Sequence, residues 1–374
     1  MKTTLKLAGA FVLMAALLLP LYAGGGKDTK AAAAGGLKIG ILTTSGVDDG
    51  SFGQDCYNGI LEFIKNNPEA TVTPVKEPDM AKVLDAAANI VADYDVLVLP
   101  GFEFAPVGVL MQENPDRKVI LVDSNPTDAS GKEVELPNIY AMVFHEEESG
   151  FFAGVAAALE SKSGKVAFVG GMAFPSVVNY QFGFESGVAY ANKYYGKNAQ
   201  LVNLPSYAGT DVTGKAVGGN YVGDFADEAT GKVIANALIN QGADVVFVAA
   251  GASGNGAFAA AKEASGAYVI GCDVDQWDDG KTGNRNVVLT SALKVMHTNI
   301  TRQLQAIKNG TFRGQNALLG ASTDSTGYVS ASGRQQLSAD SLAKLQEVYG
   351  QLKAGKIVPA ANFNGHTPAN FPGL

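Results

Sequence analysis

Short apolar runs alternate along the chain with stretches whose apolar residues recur every three or four positions. Leu37 to Leu42, Val72 to Val75, Val96 to Leu99, Val119 to Val122 and Ile139 to Phe144 read as strands. Between them, Asp55 to Asn66 carries Ile60, Phe63 and Ile64 on one helical face, and Met80 to Val91 and Glu146 to Glu160 also read as helices. The pattern then restarts. Strands are expected over Val166 to Val169, Ala199 to Leu204, Val245 to Ala249 and Tyr268 to Gly271. Helices are expected through Phe184 to Tyr194, over Glu228 to Gln241 and over Ala257 to Ala264, with Gly251 to Gly256 as a turn. Continuously apolar strands separated by helices predict parallel sheets covered on both faces, and two successive units predict two α/β lobes.

The 374 residues suit two such lobes, and an apolar share of 47% is enough to build their cores. The first 23 residues form an export signal: Lys2 and Lys6, an apolar run from Ala10 to Leu19, Pro20, and a small residue at Ala23. That run is shorter than the roughly 20 residues of a spanning helix. Residues 24–36 follow as a flexible leash rich in Gly and Ala. The formal charge of −8 becomes −10 once the leader, with two lysines and no acid, is removed. That balance excludes nucleic acid and an anionic membrane surface as partners. Gly24 stands where a lipid-bearing cysteine would be expected, so any anchor is in doubt. Cys56 and Cys272 read as two buried thiols rather than a disulfide.

In open parallel sheets, ligands bind beyond the carboxyl ends of the strands. The residues there are Thr43 to Phe52, Gly101-Phe102, Asp123-Ser124, Gly170 to Met172, Gly251 to Gly256 and Asp273 to Trp277. Gly, Asp, Ser and aromatics grip hydroxyls and planar rings rather than phosphate. The Gly251 to Gly256 turn matches neither a dinucleotide fingerprint nor a phosphate loop. His145, His297 and His366 have no zinc-ligand spacing, and no nucleophile elbow appears, so neither catalysis nor a metal or cofactor is expected.

Several segments together resemble the basic membrane protein family of ABC-transporter substrate-binding proteins, which includes purine nucleoside receptors. They are Asp49 to Gln54, Phe168 to Met172, Gly183 to Gly187, Tyr221 to Asp227, Gly242 to Phe247, Gly271 to Gln276 and Leu289 to Lys294. The resemblance implies a type I periplasmic binding protein fold, with two doubly wound parallel-sheet lobes joined by a three-stranded hinge. Crossings are expected near Phe144, Asp273 and Lys294. The N-terminal lobe would take 37–144 plus 274–293, and the C-terminal lobe 145–273 plus 294–374. It also implies a monomeric periplasmic or extracytoplasmic carrier, not an enzyme, which hands a nucleoside to an ABC permease and its ATPase. Membrane contact would come only through the transporter or a lipid anchor. Phe52 and Phe225 would sandwich the base, with Asp49 and Gln54 at its edge. Asp273 and Lys294 would hold the ribose, with the Gly251 to Gly254 backbone nearby and Asp275 structural. The family usually has Asn where this chain has Gly53, which leaves base selection open. A sugar or another purine-like solute is the alternative ligand, and an exported nucleoside hydrolase the alternative class.

Overall fold

The computed structural model describes residues 36–374. The expected signal (1–23) and leash (24–36), except for Gly36, lie outside the described residues. Two six-stranded sheets organise the described chain. The first runs in the order Gln315–Leu319, Ile139–Phe144, Lys118–Val122, Val96–Pro100, Lys38–Thr43, Thr71–Lys76, all parallel. The second runs Thr326–Tyr328, Val288–Lys294, Tyr268–Asp273, Val245–Ala249, Lys165–Gly170, Gln200–Leu201. Only Thr326–Tyr328 is antiparallel to its neighbour there.

Strand alternation sorts the side chains onto two faces. In the first sheet Ile39, Ile41, Val96, Val98 and Ile120 pack under the helices Phe52–Asn66 and Met296–Lys308. Leu97, Leu99, Val119 and Leu121 face Val83, Ala87, Val107 and Met111 on the opposite side. In the second sheet Phe168, Phe247 and Ile270 meet the helices Glu146–Glu160, Pro175–Tyr194 and Ala339–Lys353. Ala167, Val169, Val246 and Val248 meet Glu228–Asn240 and Ser253–Glu263. Both faces of both sheets are therefore buried, which is why the strands are so continuously apolar.

The lobe assignment needs two corrections. Residues 274–293 do not join the first lobe, because Ile270 to Asp273 pair in parallel with Thr290 to Leu293 inside the second sheet. Conversely, not all of 294–374 belongs to the second. Met296, Ile300 and Leu304 are buried against Ile39, Cys56 and Phe63, and Gln315–Leu319 pairs with Ile139–Phe144 in the first sheet. The chain accordingly changes sheets after Phe144, after Lys294 and between Leu319 and Thr326, not near Asp273. The first and third crossings are tied together. The His145 amide donates to the Leu319 carbonyl at 2.8 Å. The Glu148 carboxylate accepts from the Ala321 amide at 2.6 Å and from Thr326 Oγ1 at 2.5 Å.

Element limits differ from expectation where glycine obscured them. Gly251 to Gly256 is not one turn, since helix Ser253–Glu263 starts inside it. Glycine lowers helix propensity in sequence, but here it permits close packing: a Cβ on Gly256 would stand 1.9 Å from the Glu228 carbonyl oxygen. Similarly, helix Pro175–Tyr194 begins well before Phe184, at a proline suited to a first helical position. Ala199 to Leu204 contributes only the two-residue strand Gln200–Leu201.

Helices Glu146–Glu160 and Pro175–Tyr194 approach through glycines on both sides. A Cβ on Gly154 would lie 2.0 Å from the Phe184 carbonyl oxygen, and one on Gly187 2.2 Å from that of Phe151. No rotamer relieves a clash with backbone, so Gly154→Ala should destabilise the protein by about 1–3 kcal/mol. Gly350, exposed in helix Ala339–Lys353 with no atom within 4 Å of its added Cβ, should gain roughly 0.5–1 kcal/mol as alanine. Thermal denaturation of the two variants should therefore shift in opposite directions.

Candidate functional site

The carboxyl ends of the central strands of both sheets face one cleft of about 670 Å³, its open mouth included. Thr43, Gly101 and Asp123 come from the first lobe, and Ala249, Gly251, Asp273 and Lys294 from the second. Phe52, Phe102, Phe174, Tyr180 and Phe225 supply the aromatic wall. Phe102 of the first lobe meets Phe174 of the second with ring centroids 5.4 Å apart, and Phe174 in turn meets Phe225 at 5.8 Å.

Lys294 is the centre of the polar end and is only 2% exposed. Its Nζ donates to both oxygens of Asp123, at 2.8 and 2.7 Å. Glu146 Oε1 lies 3.5 Å away and Asp273 Oδ1 3.9 Å. The ammonium also sits over the rings of Phe52, Phe144 and Tyr180 at 4.8, 5.6 and 5.7 Å. Burial alone would lower the lysine's pKa, but Asp123, Asp273 and Glu146 outweigh it and raise it above the ordinary lysine value. Burial holds the Asp123 carboxyl above the ordinary aspartate value, against the opposing pull of the Lys294 ammonium and its two hydrogen bonds. Glu146 is pushed up to about 8 by burial, against the pull of Lys294. Its Oε2 accepts from Asn179 Nδ2 at 3.1 Å, while Oε1 has no hydrogen-bond partner.

Asp273 is held from both lobes. Tyr180 donates its hydroxyl to Oδ1 at 2.9 Å, and Ser51 of the first lobe donates to Oδ2 at 3.0 Å. Asp123 and Asp273 both adopt positive φ, +70° and +67°. Aspartate tolerates this left-handed conformation better than most residues, and here it turns each carboxylate off its strand end into the cleft.

Of the expected site residues, Phe52, Asp49, Phe225, Gly251, Asp273 and Lys294 all line the cleft. Asp49 is otherwise employed, however. Its carboxylate accepts from the Ser51, Gly53 and Gln54 amides and from Ser45 Oγ, at 2.8–3.0 Å, and so closes the first turn of helix Phe52–Asn66. Gln54 is exposed outside the cleft, with its Oε1 accepting from the Gly50 amide at 3.1 Å. Gly254 is likewise not in the wall, being buried inside the first turn of helix Ser253–Glu263. Gly53 leaves no room for a side chain, because a Cβ would lie 2.1 Å from the Gly46 carbonyl oxygen. Asp275 is held by Arg334 Nε at 2.7 Å, outside the cleft.

Glu146, Tyr180, Glu103 and Phe174 were not foreseen as site residues, and Asp123 was marked as a strand-end residue but given no role. The strand-end rule that selects Asp273 selects Asp123 equally. Tyr180 was hidden because its helix begins at Pro175. Cys56 and Cys272 are both free and buried. Cys56 packs against Met296 with sulfurs 3.9 Å apart, whereas Cys272 lies against the cleft.

The family described as "ABC transporter substrate-binding protein PnrA-like" matches residues 37–203 and 215–352. The "CD4+ T-cell-stimulating antigen" of Listeria monocytogenes is 30% identical over 337 residues, which cover 85% of this chain and 86% of the relative. The "ABC transporter nucleoside-binding protein BmpA" of Lactococcus lactis is 29% identical over 296 residues, 74% of this chain and 77% of the relative. "Basic membrane protein B" of Borreliella burgdorferi is 31% identical over 251 residues, 64% of this chain and 65% of the relative. Among solved structures, an ABC transporter solute-binding protein from Aeropyrum pernix superposes with a TM-score of 0.72 at 21% identity, covering 88% of this chain and 94% of that one. A second, from Conexibacter woesei, gives 0.64 at 20% identity, covering 87% and 99%. These structures establish the solute-binding protein fold.

The buried acid makes the site's stability depend on pH. Glu146 keeps its proton up to about pH 8 in the folded protein but ionises near 4.3 when unfolded. Between those values the native state holds the extra proton, so stability falls as pH rises. Glu146→Gln removes that contribution. It should melt roughly a few degrees above the wild type at pH 8.5, with the difference shrinking as the pH falls toward 4. An unchanged difference between the two pH values would refute the assignment.

Proposed function

Because the chain belongs to the PnrA-like family of ABC transporter substrate-binding proteins, we propose that it captures a nucleoside, with a purine base, outside the cytoplasm and passes it to an ABC permease and its ATPase. Its role is to bind rather than to catalyse, as for the family as a whole. The observation that carries the choice of ligand is that one cleft brings aromatic rings and charged groups together. Phe52, Phe102, Phe174 and Phe225 suit the flat base, while Asp273, Asp123 and Lys294 suit vicinal hydroxyls. Base stacking on an aromatic ring contributes about 1–3 kcal/mol and tolerates different bases. A carboxylate accepts two hydroxyls at once. The printed name of the Lactococcus lactis relative, a nucleoside-binding protein, points the same way.

The lobes close by contacts made across the cleft. Ser51 to Asp273, Gln276 Nε2 to the Gly50 carbonyl at 3.3 Å, and Phe102 to Phe174 all join the first lobe to the second. A ligand touching both walls favours this closed form by its differential affinity. The closed form is then the species that docks on the permease.

Isothermal titration of refolded, ligand-stripped protein with guanosine, inosine, adenosine, cytidine and ribose tests the proposal. One-site binding of purine nucleosides is expected, weakened roughly 10- to 100-fold by Phe52→Ala or Asp273→Ala. Inosine should be recovered intact after incubation, since release of free base would make the protein a hydrolase. Heat from ribose or hexoses but from no nucleoside would replace the nucleoside with a sugar.

A further inference from the structure

Glu103 is a cleft carboxyl with no assigned task. It sits in the short turn Phe102–Phe104 that follows strand Val96–Pro100, next in sequence to Phe102, and lines the same cleft as Phe52, Phe174 and Phe225. Gly101, at φ +143°, makes the turn possible, and its missing side chain leaves space that the carboxylate fills. A Cβ there would stand 2.4–2.6 Å from the Glu103 carboxyl atoms. Thr44 Oγ1 donates to Oε1 at 3.1 Å and is, among the described residues, the only side-chain donor to this group. Among the described residues no basic side chain pairs with it, whereas Asp123 and Asp273 are drawn to Lys294. The two residues expected at the base edge do not compete for that duty. Asp49 is saturated by amides and Ser45, and Gln54 lies outside the cleft.

We infer that Glu103 is a specificity-determining residue that reads the Watson–Crick edge of the base and favours guanosine over inosine and inosine over adenosine. The inference rests on the nucleoside reading above. A carboxylate offers two acceptor oxygens in one plane and no donor. Guanine presents two parallel N–H groups on that edge, N1–H and the exocyclic amine, and so matches both oxygens. Hypoxanthine presents N1–H alone. Adenine turns an N1 lone pair toward the carboxylate, and acceptor faces acceptor at a desolvated position. Charge-assisted, two-point contacts of this kind are the stronger and more selective hydrogen bonds. Burial pushes the Glu103 carboxyl up to about 7, helped by the Asp123 charge. The group thus has little solvation to lose when a base covers it.

The test is isothermal titration of wild type and Glu103→Gln with guanosine, inosine and adenosine at pH 8. The substitution is isosteric and replaces one acceptor with a donor. Guanosine binding is expected to weaken roughly 10- to 100-fold while adenosine binding holds or tightens, so adenosine serves as the control for folding. Equal weakening of all three, or no change in any, would overturn the role of Glu103 and leave the nucleoside reading intact. A wild type that binds none of them would overturn the nucleoside reading, and this inference with it.

Discussion

The buried ammonium of Lys294 is the constraint on which the cleft depends. It ends a strand of the second sheet, yet its closest partner, Asp123, ends a strand of the first. Removing one member of such a pair typically costs about 3–5 kcal/mol, because the other charge is left buried and alone. The two lobes are therefore pinned at this end, beside the crossing that follows Lys294. The contacts farther out, Ser51 to Asp273 and Phe102 to Phe174, are a single hydrogen bond and a ring contact. The lobes are thus joined more firmly at the lysine than at these outer contacts, and Glu148 bridges the first and third crossings through Ala321 and Thr326.

The same topology explains why the charges converge. Strands Lys118–Val122 and Tyr268–Asp273 occupy equivalent places in their sheets, each flanked by the strand that leads into a crossing. Each delivers an aspartate at positive φ, so Asp123 and Asp273 are counterparts facing each other across the cleft. The strands beside them, Ile139–Phe144 and Val288–Lys294, are counterparts as well, but one ends in an aromatic ring and the other in an ammonium. Two acidic positions thus share one cation, and the Phe144 ring lies 5.6 Å from the charge that its counterpart carries. Had both strands ended in lysine, like charges would have met in a desolvated space.

Much of the fold was legible because burial on both faces leaves a strong local trace. Val96 to Leu99 and Val245 to Ala249 have almost no alternative to buried parallel strands. The Gly251 to Gly256 run misled because the same residue serves turns and tight helix contacts, and only the position of the Glu228 carbonyl tells them apart. The lobe limits misled for a different reason. Which sheet a late strand joins depends on pairing over long sequence distances, such as Gln315–Leu319 with Ile139–Phe144, and no local pattern encodes it. Within the site, Asp273 and Lys294 were visible from strand ends and motif order. Asp49 was visible too, and the structure adds a capping role that was not foreseen. An acid ahead of a helix is first a capping group, and the structure shows all its acceptor positions taken.

Closure raises a question of where ligand discrimination comes from. Asp273 already accepts from Ser51 and Tyr180 when the lobes are together, so closing the empty protein leaves it satisfied. Each of its oxygens can still accept a further hydroxyl, so a sugar gains there in the open and the closed form alike. A ligand that gains equally in both states shifts no population. The aromatic wall behaves differently. Phe52 and Phe102 belong to the first lobe and Phe174 and Phe225 to the second, so a ring held between them gains both faces only once the lobes meet. For the nucleoside proposed above, the affinity that drives closure would then come mainly from the base, with the sugar end fixing orientation.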